Sequence, residues 1–383
     1  MNIYFLCIFV ILLFFFNNTK SYHNEESKNI TLSYNYNNTR NKRAIFKNVQ
    51  PKWIFPISYT VGNNINGQLI EDVLNGIRKE TCLTFKKVSS FQGIGIKYVK
   101  GASCGIFSKN FTPVIIGIAP FCGKVGKIQK KTLNILGLLD EEDRPNRNNY
   151  VTINFNNVVD SVRFELNSKN PSVVNSYNLR YDYGSIMHNG KYYVSKNGKM
   201  TIVPKNKLYM NTIGQISELG FNDMKTLNMY YCSSKCPVKL NCLNGGYTNP
   251  NNCNICKCPR FFTGKLCGQI FSSISSCGNT ILTATTTSKI LNITGKKNCI
   301  YQISTQSGSK VKLTILNTKL TKRNPCPPNV GIEVKFLADK SVSGATFCGI
   351  TKNIIINSID NSIILKYNGL FEDNYLKFSY IKI

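Results

Sequence analysis

The sequence predicts an α+β fold at the N-terminal side, an all-β segment at the C-terminal side and a small cystine-rich module between them. Three observations carry this. Helical periodicity appears twice among alternating, β-branched runs between residues 53 and 155. Six cysteines crowd into the 32 residues from Cys236 to Cys267, which leaves little room for a core and hands stability to disulfides. Residues 277–383 run in short stretches that alternate apolar and polar.

In chain order, Ile3 to Phe16 is almost wholly apolar and is stopped by Asn17, Asn18 and Lys20. It is too short for a comfortable membrane span, so residues 1–21 read as a secretory signal peptide. No other stretch is apolar enough to cross a bilayer. Residues 22–43 are polar, lack periodicity and end in Arg40-Asn41-Lys42-Arg43, a dibasic processing signal that makes them a pro-segment and Ala44 the mature N-terminus. Fifteen cysteines are present; Cys7 lies in the signal, leaving an even fourteen, as a disulfide framework in an oxidising compartment requires. Asn110 and Asn292 head N-x-Thr glycosylation sequons in the mature part, and Asn29 and Asn37 head two more upstream. The expected product is a secreted, extracellular protein.

The net charge is +29. Such a balance attracts acidic glycans or anionic surfaces. Lysine, asparagine and isoleucine are nevertheless abundant everywhere, and no dense basic run carries interleaved aromatics, so no nucleic-acid role follows.

Strands are expected at 53–61, 82–88, 94–99 and 114–119, with a helix over 65–80 whose Leu69, Val73, Leu74 and Ile77 share one face. A second helix follows Cys122. Val125, Ile128, Thr132, Leu133 and Leu136 share its apolar face, and Lys127, Lys130, Lys131 and Asn134 lie on the other. Gly137 ends it, because glycine can take the left-handed geometry of a C-terminal cap. A short strand is expected at 151–155. Further strands are expected at 310–315, 331–337, 354–356, 362–367 and 376–381. The four cysteines at 277, 299, 326 and 348 pair in order, Cys277–Cys299 and Cys326–Cys348.

The run Gly137-x-x-Asp140-Glu141-x-x-Arg144-Pro145-x-Arg147-x-x-Tyr150-Val151 resembles the segment after the zinc helix in astacin-family (metzincin) metalloendopeptidases, which carry H-E-x-x-H-x-x-G-x-x-H-E-x-x-R-P. Aligned on Gly137, Glu141, Arg144 and Pro145, the family's three zinc-ligand positions are Lys130, Asn134 and Asp140, and its general-base position is Lys131. The motif needs three neutral nitrogen ligands and an open position for water, from which the glutamate takes a proton. A protonated lysine offers donors and no lone pair, so it does neither job. The whole chain has two histidines, His23 and His188, and His23 lies in the expected pro-segment. No choice of register builds a three-histidine site.

The rest of the resemblance follows. Ser185-Ile186-Met187-His188-Asn189 resembles the family's methionine turn; Met187 would floor the metal position, and Asn189 stands where the family has its tyrosine. In the family the mature α-amino group pairs with the glutamate at Glu141. Residues 22–43 contain no aspartate of the kind many pro-segments use to mask zinc. The resemblance implies disulfides Cys82–Cys232 and Cys104–Cys122 within an astacin-like domain over 44–232. Residues 233–268 resemble an EGF-like module, whose usual pairing would be Cys236–Cys253, Cys242–Cys256 and Cys258–Cys267, although spacing alone allows many others. Residues 277–383 resemble a CUB domain, a β-sandwich.

Three functions compete. One is a secreted pseudoprotease that binds an extracellular protein or peptide and holds no cofactor where the family holds one zinc ion. Another is an active zinc metalloendopeptidase, as the family alone implies. The last is an adhesive protein acting through its EGF-like and CUB modules. Lys130, Lys131, Asn134, Asp140 and Asn189 argue against catalysis.

Overall fold

The computed structural model describes residues 44–107 and 112–383. The expected signal peptide, pro-segment and processing site, together with Cys7, His23, Asn29, Asn37 and Asn110, lie outside the described residues.

The N-terminal half is built on a five-stranded sheet in the order Phe85–Lys87, Ile57–Val61, Ile96–Lys100, Val114–Ile118, Ile106–Phe107, parallel except for the last pair. The strand expected from residue 53 starts only at Ile57, just past Pro56, which has no backbone N–H to give to a ladder. The helix Gly67–Glu80 is capped by Asn66, whose side chain accepts from the Gln68 and Leu69 amides, and it buries Ile70, Val73, Leu74 and Ile77.

The second helix, Val125–Ile135, packs across the first. Its Thr132 hydroxyl lies 3.1 Å from the Tyr98 phenol, and Gln129 donates to the Val73 carbonyl. Its C-terminal carbonyls would be orphans in an apolar core. Trp53 Nε1 donates to Ile135 O and the Tyr231 hydroxyl to Leu136 O. Gly137 then turns the chain with φ +96°, a conformation where side chains are strained, and a Cβ there would run into Val49. At the other end the Ile216 carbonyl occupies the place where a Cβ on Gly126 would stand. These two glycines fix how deeply the helix sits. One face differs from the sequence pattern: Lys130 is buried together with Ile128 and Leu133 rather than solvated.

A third helix, Phe221–Tyr231, follows the methionine-turn segment and is closed to the end of the first helix by Cys82–Cys232; Cys104–Cys122 ties the edge strand to the second helix. The cystine-rich module has two small hairpins, Tyr247–Asn249 with Asn252–Lys257 and Phe262–Thr263 with Gln269–Ile270. Its disulfides are Cys236–Cys253, Cys242–Cys256 and Cys258–Cys267.

The C-terminal segment is a sandwich of two sheets. One has the order Ile281–Thr283, Asn298–Ser304, Ser362–Asn368, Gly331–Lys335, Ala345–Phe347; the other has Lys289–Thr294, Tyr375–Lys382, Val311–Lys319, Ile350–Asn357. Cys277–Cys299 and Cys326–Cys348 close it. The strands at 281, 289, 298 and 345 carry no clean signal in the sequence.

The sandwich is fused to the rest. Tyr181, Tyr183, Tyr209 and Ile213 share one hydrophobic core with Val334, Phe336 and Ala345, and the Tyr209 and Phe336 rings lie 5.8 Å apart. The Thr346 amide donates to the Thr212 hydroxyl at 2.9 Å, and Cys326 N to Asn211 O at 2.8 Å. Arg260, from the cystine-rich module, pairs with Glu218 on one side and with Glu333 (3.1 Å) on the other.

Candidate functional site

The site forms where the second helix, the turn after Gly137 and the methionine-turn segment meet. Lys130 lies on the inner face of the helix, and its Nζ donates to the Met187 carbonyl (3.1 Å) and to Asn189 Oδ1 (2.7 Å). Asp140 Oδ2 stands 3.4 Å from the same ammonium. Asn134, one turn further along the helix, donates to Asp140 Oδ1 (3.2 Å) and to the Leu138 carbonyl (3.1 Å). Asn189 closes the ring: its Nδ2 donates to Asp140 Oδ2 (2.7 Å) and to Glu142 Oε1, and its backbone amide donates to Glu142 Oε2 (3.1 Å). Lys130, Asn134, Asp140 and Asn189 thus form one hydrogen-bonded cluster. Lys131 is not part of it. It is half-buried and makes no hydrogen bond or ion pair with the described residues.

Met187 is buried in the same core as Ile128 and Leu133. Its turn is held by Asp223 at the start of the third helix, which accepts from the Ser185 hydroxyl at 2.7 Å and from the Ile186 amide. His188 is buried with both ring nitrogens engaged, Nε2 by the Tyr181 hydroxyl (2.9 Å) and Nδ1 by the Asn189 carbonyl (2.7 Å). Glu141 is buried. Its Oε1 accepts from Arg144 (2.8 Å) and from the Asp182 amide (2.7 Å). Ala44 is buried against Leu139, whose amide donates to the Ala44 carbonyl.

Sequence reasoning missed two members of this region. Glu142 is fully buried and is the second acceptor for Asn189; the motif leaves this position open, so it carries no signal. Asp143 is held out of water, with Asp140 and Glu142 close by, and this pushes its carboxyl up to about 8; Lys169 at 3.6 Å is its counter-charge. A run of consecutive acidic residues would read as a solvated turn, and only the fold puts them inside.

The residues present do not fit a zinc ion. The ammonium of Lys130 supplies donors where a ligand must supply a lone pair. The Asn134 amide is turned with its nitrogen toward Asp140, and His188 has no free ring nitrogen. Among the described residues no group of three His, Cys, Asp or Glu side chains is placed to hold a metal. No helix among them is long and apolar enough to cross a membrane.

Residues 45–232 match the model of the astacin peptidase family, and residues 277–378 match the CUB domain. The chain is 31% identical over 340 residues to zinc metalloproteinase nas-34 of Caenorhabditis elegans, covering 86% of this chain and 56% of that protein. It is 33% identical over 229 residues to zinc metalloproteinase dpy-31 of the same nematode, covering 58% of this chain and 39% of that protein. Zinc metalloproteinase nas-36 of Brugia malayi is 32% identical over 239 residues, covering 60% and 41%. The chain spans about half the length of the curated relatives it matches. Among solved structures, the hatching enzyme zinc-protease high choriolytic enzyme 1 of the medaka Oryzias latipes aligns at 26% identity and a TM-score of 0.41, covering 46% of this chain and 89% of that one. On its matched domains and its relatives, the chain carries an astacin peptidase-family domain followed by a CUB domain, with nematode zinc metalloproteinases as its homologues.

Proposed function

We propose that this protein is a secreted astacin homologue without peptidase activity, which acts by binding an extracellular protein or peptide in the cleft its family uses for substrates. The observation that supports this is the Lys130 ammonium. It stands where the family resemblance expects the first zinc ligand, and it is bonded to Met187 O and Asn189 Oδ1 beside Asp140. A cation in that position repels a second cation and offers it nothing to bind. Lys131, at the general-base position, cannot take a proton from water while it is itself protonated. The relatives are zinc metalloproteinases, so what is retained here is the scaffold and what is replaced is the chemistry. On this reading the astacin-like domain covers 44–232, residues 233–268 are an EGF-like module, residues 277–383 the CUB domain, and acidic glycans are a secondary partner class of the basic surface.

The test is metal analysis of the untagged mature chain, with hydrolysis of a denatured protein substrate measured in parallel. The expected results are zinc far below one equivalent and no proteolysis above a buffer control. Near-equimolar zinc together with chelator-sensitive cleavage would overturn the proposal. Because the CUB core is continuous with Tyr183 and Tyr209, a ligand should be mapped by point substitutions rather than by deleting residues 277–383.

A further inference from the structure

We infer that Asn292 carries an N-linked glycan whose first N-acetylhexosamine is seated in a groove of the CUB domain itself. The inference rests on the reading of the chain as secreted, since only the secretory route attaches such a glycan. The attachment sequence is Asn292-Ile293-Thr294, and it lies on Lys289–Thr294, the edge strand of the four-stranded sheet. Successive side chains of a strand point to opposite faces. Ile293 is buried in the core, so Asn292 and Thr294 both face outward, and both are exposed. The Asn292 amide makes no hydrogen bond with the described residues, which leaves its nitrogen open to modification.

The register then sets what lies beside the attachment point. Asn292 is opposite Lys377 and Thr294 is opposite Tyr375 on the neighbouring strand, and Asn317 follows on the next strand, opposite Lys377. Together with Glu372 and Asp373 from the preceding turn, these residues line a groove of about 340 Å³ that begins at Asn292. That volume is at the lower end of ligand pockets, roughly 300–1,000 Å³. Every lining side chain carries a polar group, and some of them are tied to neighbours. Asn317 Nδ2 donates to the Tyr375 hydroxyl at 2.9 Å, and Asp373 is ion-paired with Lys319 at 2.9 Å. The turn is held by Asn374, whose Oδ1 accepts from the Leu370 and Phe371 amides.

This chemistry suits a neutral amino sugar. A carboxylate is an acceptor for sugar hydroxyls and for the acetamido N–H, an ammonium is a donor to ring and hydroxyl oxygens, and such charge-assisted bonds are the stronger kind. Asp373 is already paired with Lys319, and Lys377 stands in the same lining as Glu372, so the groove carries no excess charge and suits the uncharged core of the chain's own glycan. Tethering makes the second step intramolecular, so even a weak groove is filled.

The experiment expresses the full chain in eukaryotic cells and analyses medium and cells separately. Peptide mass spectrometry before and after peptide-N-glycosidase treatment reads occupancy at Asn292, with Asn110 as the internal control for secretion. Amide hydrogen exchange then compares the glycosylated and enzymatically released forms. The expected result is an occupied Asn292 and exchange in residues 289–294 and 375–382 that is about fivefold slower with the glycan in place. In Glu372→Ala the occupancy should remain and that protection should be lost. An empty Asn292 on chain recovered from the medium overturns the inference and leaves secretion standing; a chain found only inside the cells with both sites empty overturns both. Occupancy with unchanged exchange on release, or protection that survives Glu372→Ala, overturns the seat.

Discussion

Lys130 in the astacin domain and Lys335 in the CUB domain are both lysines with a buried ammonium, 8% and 4% exposed, yet the fold treats them differently. Lys130 exchanges its water for one carboxylate, one amide oxygen and one carbonyl. Lys335 finds two carbonyls, Lys340 O at 2.7 Å and Val342 O at 3.0 Å, and the face of Phe261 at 5.4 Å. Among the described residues no carboxylate stands within ion-pairing distance of it. Burial therefore pushes the Lys335 ammonium down to about 8. The first lysine is part of a charge-balanced cluster that ties the helix to the turn after Gly137. The second is a cation held by dipoles at the seam between modules.

If that contrast is right, the largest effect belongs to the carboxylate. Asp140→Ala strands the Lys130 ammonium and leaves the Asn134 and Asn189 amides short of an acceptor. It should destabilise by about 3–4 kcal/mol. Lys130→Ala should lose less, about 2 kcal/mol, because Asp140 keeps Asn134 and Asn189 as donors. The double variant should fall well short of the sum. Denaturant unfolding of the four proteins measures this, and strict additivity would break the cluster apart as an explanation.

At Lys335 the readout is pH. Its folded value lies below the ordinary lysine value near 10.4, so the folded state disfavours the charged form. Below about pH 8 both states are protonated and the whole penalty is present. Between pH 8 and about 10.4 the unfolded chain binds more protons, so stability rises with pH across that window by up to about 3 kcal/mol. Lys335→Met removes this titrating group, and its stability should rise less than the parent's across the window. The absolute gain at neutral pH is smaller than the rise, because two carbonyls lose a donor. A rise of the same size in both proteins would mean that some other group titrates there.

A third buried charge sits between these extremes. Arg144 is wholly buried against Glu141 at 2.8 Å, and its guanidinium also donates to the Leu179 and Arg180 carbonyls. Cleavage after Arg43 would free the α-amino group of Ala44, a residue already buried, and the family pattern directs it to Glu141. Processing should then add about 1–2 kcal/mol. The increment, read as the difference between processed and unprocessed chains, should vanish in Glu141→Gln. Equal increments in both backgrounds would remove Glu141 from that role.

How much of this was legible follows from the kind of signal each element leaves. The helix Gly67–Glu80, the glycine turn at Gly137 and the crowding of cysteines after Cys236 are local patterns, and they read directly. The CUB strand Lys289–Thr294 does not, because as an edge strand it keeps exposed apolar residues such as Ile290 beside its polar ones and loses the clean alternation. At the site, the aligned frame named Lys130, Asn134, Asp140 and Asn189. It could not name Glu142, since nothing in a run of acidic residues tells which one turns inward to meet Asn189. Nor could it show that the methionine-turn tyrosines Tyr181 and Tyr183 share a core with Phe336, a contact between residues far apart in the chain.

The smallest effect is expected at the residue beside the one that matters most. Lys131 follows Lys130 on the same helix, and one step of a helix turns the side chain through roughly 100°. That step takes Lys131 out of the cluster and leaves it half-buried without a hydrogen bond or ion pair to the described residues. Lys131→Ala should therefore stay within about 0.5 kcal/mol of the parent. Lys131→Glu goes further, because it restores the family's general base alone. On the proposed function a glutamate there has no metal-bound water to deprotonate, so the variant should fold normally and still cleave nothing. Measurable hydrolysis by Lys131→Glu would show that the rest of the machinery had survived, and that a single proton acceptor, rather than the metal site, was what this chain had lost.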